Sequence, residues 1–116
     1  MIQIFKENDN SIQINLDISE ANLANADEFK AELISIFNEA HKNIILNLEQ
    51  VEYIDSSFLG ALVASLKHLI SFQCDLILVG LRKDVADLFS LIRLDKVFKI
   101  YPGFADVPSF DKETNA

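Results

Sequence analysis

The stretch NIILNLEQVEYIDSSFLG, residues 43–60, decides the fold class of this chain. Four of the six residues over 43–48 are apolar, and three of these are consecutive, which is typical of a strand that is buried in a sheet. From Leu59 onward, apolar residues recur at steps of three and one, which predicts an amphipathic helix. A buried strand next to such a helix favours a β-α-β crossover and parallel strand pairing.

Upstream of this stretch, alternating apolar residues predict an antiparallel hairpin. Ile2 and Ile4 lie at a period of two, as do the apolar residues between 12 and 16, and this is typical of strands with one buried face. Turn-forming residues at positions 7–11 separate the two runs. We therefore expect strands over residues 2–6 and 11–16, at the edge of the sheet.

The remaining elements continue the pattern of helices and strands. Steps of three and four predict a helix over residues 25–41, with Asn25 as its N-cap and Asp27 and Glu28 near the positive end of its dipole. Residues 75–80 predict a second buried strand, parallel to and beside residues 43–48. A third helix over 84–92 and a short strand over 98–101 follow. The predicted fold class is α/β, a mixed sheet with helices packed mainly on one face.

Length and charge bound the function of the chain. Its 116 residues fit a single domain, and its net charge of −8 disfavours nucleic acid and anionic lipid as partners. No apolar run approaches the roughly 20 residues that span a bilayer, so we expect no direct membrane insertion. Charged residues directly after position 5 argue against a signal peptide, and the single cysteine, Cys74, favours the cytoplasm.

Few residues offer catalytic or metal-binding chemistry. The histidines, His41 and His68, do not combine with Cys74 in zinc-ligand spacing, and three scattered glycines cannot form a phosphate-binding loop. We therefore predict no enzyme activity, metal or cofactor. His41 is expected to end the first helix, His68 to be exposed, and Cys74 to be a small core residue.

The segment over residues 53–60 is the exception, because it follows the carboxyl end of a buried strand and begins a helix. Sites in α/β sheets tend to lie at that edge. Asp55 and Ser56 are both good N-cap residues, and a helix cap would explain them fully. A phosphorylatable hydroxyl at a helix N-terminus is the second interpretation, since unpaired N–H groups there can receive an anion. The residues alone leave both interpretations open.

Residues 54–60, Ile-Asp-Ser-Ser-Phe-Leu-Gly, resemble the Asp-Ser-Ser/Thr-Gly-Leu-Gly signature of STAS domains, including the anti-sigma factor antagonists. Residues 43–48 resemble the strand before that signature. The resemblance implies a single STAS domain over residues 1–116, with a polar tail at about 111–116. It also implies a regulatory protein that switches partners under the control of serine phosphorylation.

The resemblance further assigns roles to individual residues. Ser56 corresponds to the serine that is phosphorylated by a partner that is both a serine kinase and an anti-sigma factor, and a serine phosphatase reverses the modification. Asp55, Ser57, Phe58 and Gly60 are implied to contact the partner. Phe58 replaces the family's first motif glycine, and we predict that it lies at the partner-facing surface, where its substitution by alanine would leave the melting temperature nearly unchanged.

A second departure concerns the segment after the hairpin. Residues 17–21 lack the Gly-Glu-Leu/Ile-Asp pattern of the antagonists, and residues 22–29 look more like STAS domains attached to sulfate-type anion transporters. An alternative function is therefore a constitutive STAS subunit of a transporter assembly for anions or lipids. A nucleotide-binding regulatory module is a third possibility, disfavoured by the missing phosphate loop.

Overall fold

The computed structural model describes residues 1–109, and the predicted polar tail over 111–116 lies outside the described residues. The described chain folds into a series of strands and helices. In order they are β1 (Ile2–Glu7), β2 (Ser11–Leu16), β3 (Glu20–Ala21), α1 (Leu23–Ala40), β4 (Asn43–Asn47), β5 (Tyr53–Ile54), α2 (Ser56–Ile70), β6 (Leu76–Val79), α3 (Lys83–Leu91) and β7 (Ile100–Tyr101). Short 3-10 helices lie at Leu94–Lys96 and Phe104–Asp106.

The main sheet is mixed, as predicted, with the strand order β1-β2-β4-β6-β7. Strand β1 pairs antiparallel with β2, whereas β2, β4, β6 and β7 run parallel to one another. The predicted adjacency of β4 and β6 is confirmed, with Ile44 opposite Leu76. Strands β3 and β5 form a separate two-stranded parallel pair, which the sequence did not indicate.

Both faces of the central strands are covered, which explains their continuous apolar sequence. Ile44 and Leu46 face the main core, together with the apolar side chains of the helices. Ile45 and Ile77 point to the opposite face, where Phe104 and neighbouring side chains of the C-terminal segment pack against them. The helices therefore cover one face, as predicted, and the segment after β7 covers part of the other.

Strand β1 is more exposed than its alternation predicted. Ile4 is 58% exposed, although its counterpart Ile14 on β2 is fully buried. An edge strand has a neighbour on one side only, and the pairing shifts register between Ile4 and Lys6. Phe5 lies at this irregularity and stacks on Phe104, with the ring centroids 5.5 Å apart.

Helix α1 begins earlier than predicted. Its N-cap is Asn22, whose Oδ1 accepts a hydrogen bond from the Ala24 N–H at 3.0 Å. Asn25, the predicted N-cap, instead accepts the Asn22 N–H at 2.9 Å and so completes a capping box. Asp27 and Glu28 consequently lie beyond the first turn. The end of the helix is as predicted, since His41 is its C-cap, with a left-handed φ of 52°.

The prediction that His68 is exposed is wrong. His68 is half-buried, and its Nε2 lies 3.1 Å from Asn38 Oδ1. Its ring also lies in an aromatic cluster, with centroids 5.8 Å from that of Phe37 and 5.3 Å from that of Phe72. The parallel packing of α1 and α2 brings these C-terminal turns together, which the sequence pattern of α2 alone did not reveal.

Candidate functional site

Asp55 begins helix α2 at the carboxyl edge of the main sheet. Its backbone is extended, with φ −110° and ψ 176°, and its Oδ1 accepts a hydrogen bond from the Phe58 N–H at 2.9 Å. The Asp55 carbonyl accepts the Leu59 N–H at 3.0 Å. This is an N-cap, as the residue type predicts, and it fixes the direction of the first helical turn.

The second carboxylate oxygen of Asp55 reaches a different helix. Asp55 Oδ2 accepts a hydrogen bond from the N–H of Leu23, the first residue of α1, at 3.0 Å. The Asp55 N–H also donates to the Ala21 carbonyl at 3.0 Å, next to the pairing of β3 with β5. One carboxylate therefore joins the starts of two helices that are 32 residues apart in sequence, a contact that local sequence patterns do not signal.

Ser56 is the first residue of α2 and is exposed, as predicted. Within residues 1–109, neither its hydroxyl nor its N–H group has a hydrogen-bond partner, and the same is true of the half-buried Ser57. The first amides of any helix lack partners within that helix, and the Asp55 carboxylate caps only the third. An accessible hydroxyl therefore lies beside two unpaired N–H donors.

Phe58 corrects the prediction of a surface anchor, because its side chain is fully buried. Its ring centroid lies 4.6 Å from that of Phe29 on α1, so it fills the space between the first turns of the two helices. A side chain three residues after the N-cap turns inward here because α1 lies beside α2. Phe58 is a core residue and does not present a surface to a partner.

Gly60 lies on the same face of α2 as Ser56, one turn later, and is exposed. A Cβ atom built at Gly60 meets nothing within 4 Å, and the residue is not in a positive-φ conformation. Neither packing nor backbone geometry therefore requires glycine there. Glycine inside a helix costs up to about 1 kcal/mol of stability relative to alanine. We therefore expect that glycine at this position serves contact with another molecule.

Two exposed apolar side chains lie close to this segment, and sequence analysis did not single them out. Leu23 is 74% exposed at the start of α1, and Tyr53 is 55% exposed on β5, two residues before Asp55. Glu20 and Glu52 are exposed nearby, since Glu20 pairs with Tyr53 and Glu52 precedes it. The surface around Ser56 thus combines apolar groups with an acidic border.

Residues 6–107 match the family model of the STAS domain. The chain belongs to the STAS family. It is 39% identical, over 83 residues, to a Thermotoga maritima protein named "Putative anti-sigma factor antagonist", and the match covers 71% of this chain and 74% of the relative. A crystal structure of a Thermotoga maritima protein of the same description has a TM-score of 0.75 at 30% identity, covering 91% of this chain and 88% of that one.

More distant STAS structures share the fold alone. The phosphorylated form of Bacillus SpoIIAA has a TM-score of 0.65 at 19% identity, and the match covers 99% of this chain and 96% of that one. The murine anion transporter Slc26a9 has a TM-score of 0.76 at 16% identity, covering 87% of this chain and 17% of the transporter. Together, the family match and the relatives make this chain an anti-sigma factor antagonist-like STAS domain.

Other chemistry in this STAS domain lies away from Ser56. Burial raises the pKa of the Cys74 thiol, and the negative charge of the neighbouring Asp75 carboxylate raises it further by a smaller amount. The reactive thiolate is therefore disfavoured. In the described part of the chain, no cluster of three or more His, Cys, Asp or Glu residues could hold a metal ion. Among residues 1–109, no helix is long and apolar enough to cross a bilayer.

A cavity lies at the other end of the sheet from Ser56. It measures about 420 Å³ and is bounded by the β1–β2 turn, by Ile45 and by the segment around Val107. Ser11, at the start of β2, lines it, whereas Asp55 follows the far ends of the parallel strands. The cavity and the Ser56 surface are therefore separate features of this STAS domain.

Proposed function

We propose that this STAS domain is a partner-switching protein whose binding surface is controlled by phosphorylation of Ser56. The observation that supports the proposal most directly is the exposed Ser56 hydroxyl beside the unpaired N–H groups of Ser56 and Ser57. A kinase can reach this hydroxyl without unfolding the domain. The chain itself supplies the acceptor and has no enzymatic role.

Phosphorylation changes the surface of the domain more than its fold. Transfer of the γ-phosphoryl group of ATP to Ser56 Oγ releases the hydroxyl proton and adds roughly 1.5 to 2 negative charges at neutral pH. The two free N–H groups can donate to the phosphate, and the helix dipole contributes about 0.3–1 kcal/mol. Repulsion from the adjacent Asp55 carboxylate opposes this gain, so the net effect on the free energy of unfolding is small.

The effect on binding is larger, because a dianion within an interface must be desolvated or paired. The unphosphorylated domain binds a serine kinase that is also an anti-sigma factor, and this frees the sigma factor in the cytoplasm. Phosphorylation by the same kinase releases the domain, and a serine phosphatase restores it. Asp55, Ser57 and Gly60 contribute to the contact surface, while Phe58 supports it from the core.

The test is phosphorylation and binding by a serine kinase captured from the native cells with the unphosphorylated domain as bait. Mass spectrometry is expected to find one phosphate on the wild type and on Ser57→Ala, the matched control, and none on Ser56→Ala. In titration calorimetry, Ser56→Ala is expected to bind the kinase in the presence of ATP, whereas Ser56→Asp binds poorly. Equal affinity of the wild type, Ser56→Ala and Ser56→Asp for the native partner would refute the switch and favour a constitutive subunit of a transporter assembly instead.

A further inference from the structure

The Asp55 carboxylate makes two hydrogen bonds of different character. The bond from the Phe58 N–H lies in a partly buried position, whereas the bond from the Leu23 N–H is exposed to solvent. The next two amides of α1 are held independently, because Ala24 donates to the Asn22 side chain and Asn25 to the Asn22 carbonyl. Asp55 is therefore the acceptor for the first amide of α1 and for no other amide of that turn.

This arrangement fixes Leu23 relative to Ser56. Leu23 is the most exposed apolar residue near Ser56, and its backbone is tied to the residue that precedes the phosphorylatable serine. The backbone bond from Asp55 to Ala21 holds the same two segments together from the other side. A change in the position or hydrogen bonding of the Asp55 carboxylate therefore changes how firmly the backbone of Leu23 is held.

We propose that the phosphorylation-sensitive surface extends from Ser56 to Leu23, and that Asp55 is the positioning residue that couples them. A phosphate on Ser56 repels the Asp55 carboxylate and competes with it for the amides at the start of α2. The bond to Leu23 is weakened first, since water can replace the carboxylate at an exposed N–H group more easily than at the partly buried Phe58 N–H.

The consequence is that a partner meets two differences in the phosphorylated domain. One is the added charge at Ser56, and the other is a looser first turn of α1 that no longer presents Leu23 in a fixed position. A partner that places an apolar pocket over Leu23 therefore loses contact even though it does not touch the phosphate. This role in partner choice rests on the proposed function, but the coupling itself is a property of the isolated domain.

The experiment uses the purified domain with phosphoserine installed at position 56 during translation, so that no kinase is needed. Exchange of backbone amide protons with solvent is measured by NMR for Leu23, Phe58 and Ala24. We expect phosphorylation to accelerate exchange at Leu23 by about threefold or more, with little change at Phe58 and Ala24. The direct field of a phosphate slows hydroxide-catalysed exchange, so acceleration reports a lost hydrogen bond.

The same measurement on Asp55→Asn isolates the role of the carboxylate. Asparagine can keep the N-cap of α2 through its Oδ1, but it carries an NH2 donor in place of the Oδ2 atom that accepts from the Leu23 N–H, so the bond to Leu23 is lost. Phosphorylation is then expected to leave exchange at Leu23 unaccelerated. The proposal is overturned if phosphoserine does not accelerate exchange at Leu23 in the wild type, or accelerates it equally in Asp55→Asn.

The two proposals fail in different ways. If phosphoserine accelerates amide exchange at Leu23 but the native partner binds both forms with equal affinity, the coupling is supported and the partner switch is refuted. If the partner discriminates between the two forms while Leu23 does not respond, the switch acts through charge at Ser56 alone and the coupling is wrong.

Discussion

Substitution of Gly60 by alanine is expected to raise the stability of the domain and to lower its affinity for a partner. The added methyl group meets no atom within 4 Å, so it causes no clash in the isolated domain. Alanine is favoured over glycine in a helix interior by up to about 1 kcal/mol, and an exposed position gives no packing term to offset this. We therefore expect the free energy of unfolding to rise by about 0.5–1 kcal/mol, with a melting temperature higher by about 2–5 °C.

The same methyl group is expected to weaken partner binding. Gly60 lies one helical turn from Ser56 on the same exposed face, so a partner that packs on this face approaches the helix backbone there. Loss of that close approach costs about 1–3 kcal/mol, which corresponds to an affinity lower by roughly fivefold to 150-fold. Urea unfolding followed by circular dichroism measures the first effect, and titration calorimetry with the native binding partner measures the second.

The matched control is the reverse substitution, Ala31→Gly, at an exposed position in the middle of α1. It is expected to lower the free energy of unfolding by about 1 kcal/mol and to leave the affinity for the partner unchanged. A Gly60→Ala variant that is more stable but binds the partner as tightly as the wild type would refute the inference of close approach. A Gly60→Ala variant that is less stable than the wild type would refute the claim that the folded domain has room for the added methyl group.

Three further predictions concern the core, the cap and the thiol. Phe58→Ala is expected to lower the free energy of unfolding by about 3–5 kcal/mol, because the buried ring leaves a cavity against Phe29; a near-normal urea midpoint would contradict this burial. Asn22→Ala is expected to cost about 1 kcal/mol in the same assay, since it removes the α1 cap, whereas no loss would show that the cap is dispensable. Cys74 is expected to react with iodoacetamide more slowly than in the urea-unfolded chain, with its pH–rate profile displaced to higher pH, because its pKa is raised; equal rates in both states would contradict this.

Strands, helices and the α2 cap could be predicted from the sequence, because they depend mainly on residues that are close together along the chain. The change from a period of two to steps of three and four located β2, α1 and α2, and the apolar runs identified β4 and β6 as adjacent parallel strands. Asp55 was a predictable N-cap because residue type and position relative to the helix decide this role. The sequence also predicted Ser56 at the start of α2, where the structure leaves it exposed.

The tertiary structure decided which way individual side chains face, because that depends on residues distant in the sequence. Phe58 is buried because α1, including Phe29, packs against this part of α2, and Ile4 is exposed because β1 is an edge strand whose register shifts. The contact between Asp55 and Leu23 likewise requires the pairing of β3 with β5, two strands too short to carry a periodic signal. Local periodicity reports the face that a segment could bury, whereas the neighbouring elements determine which side chains are covered.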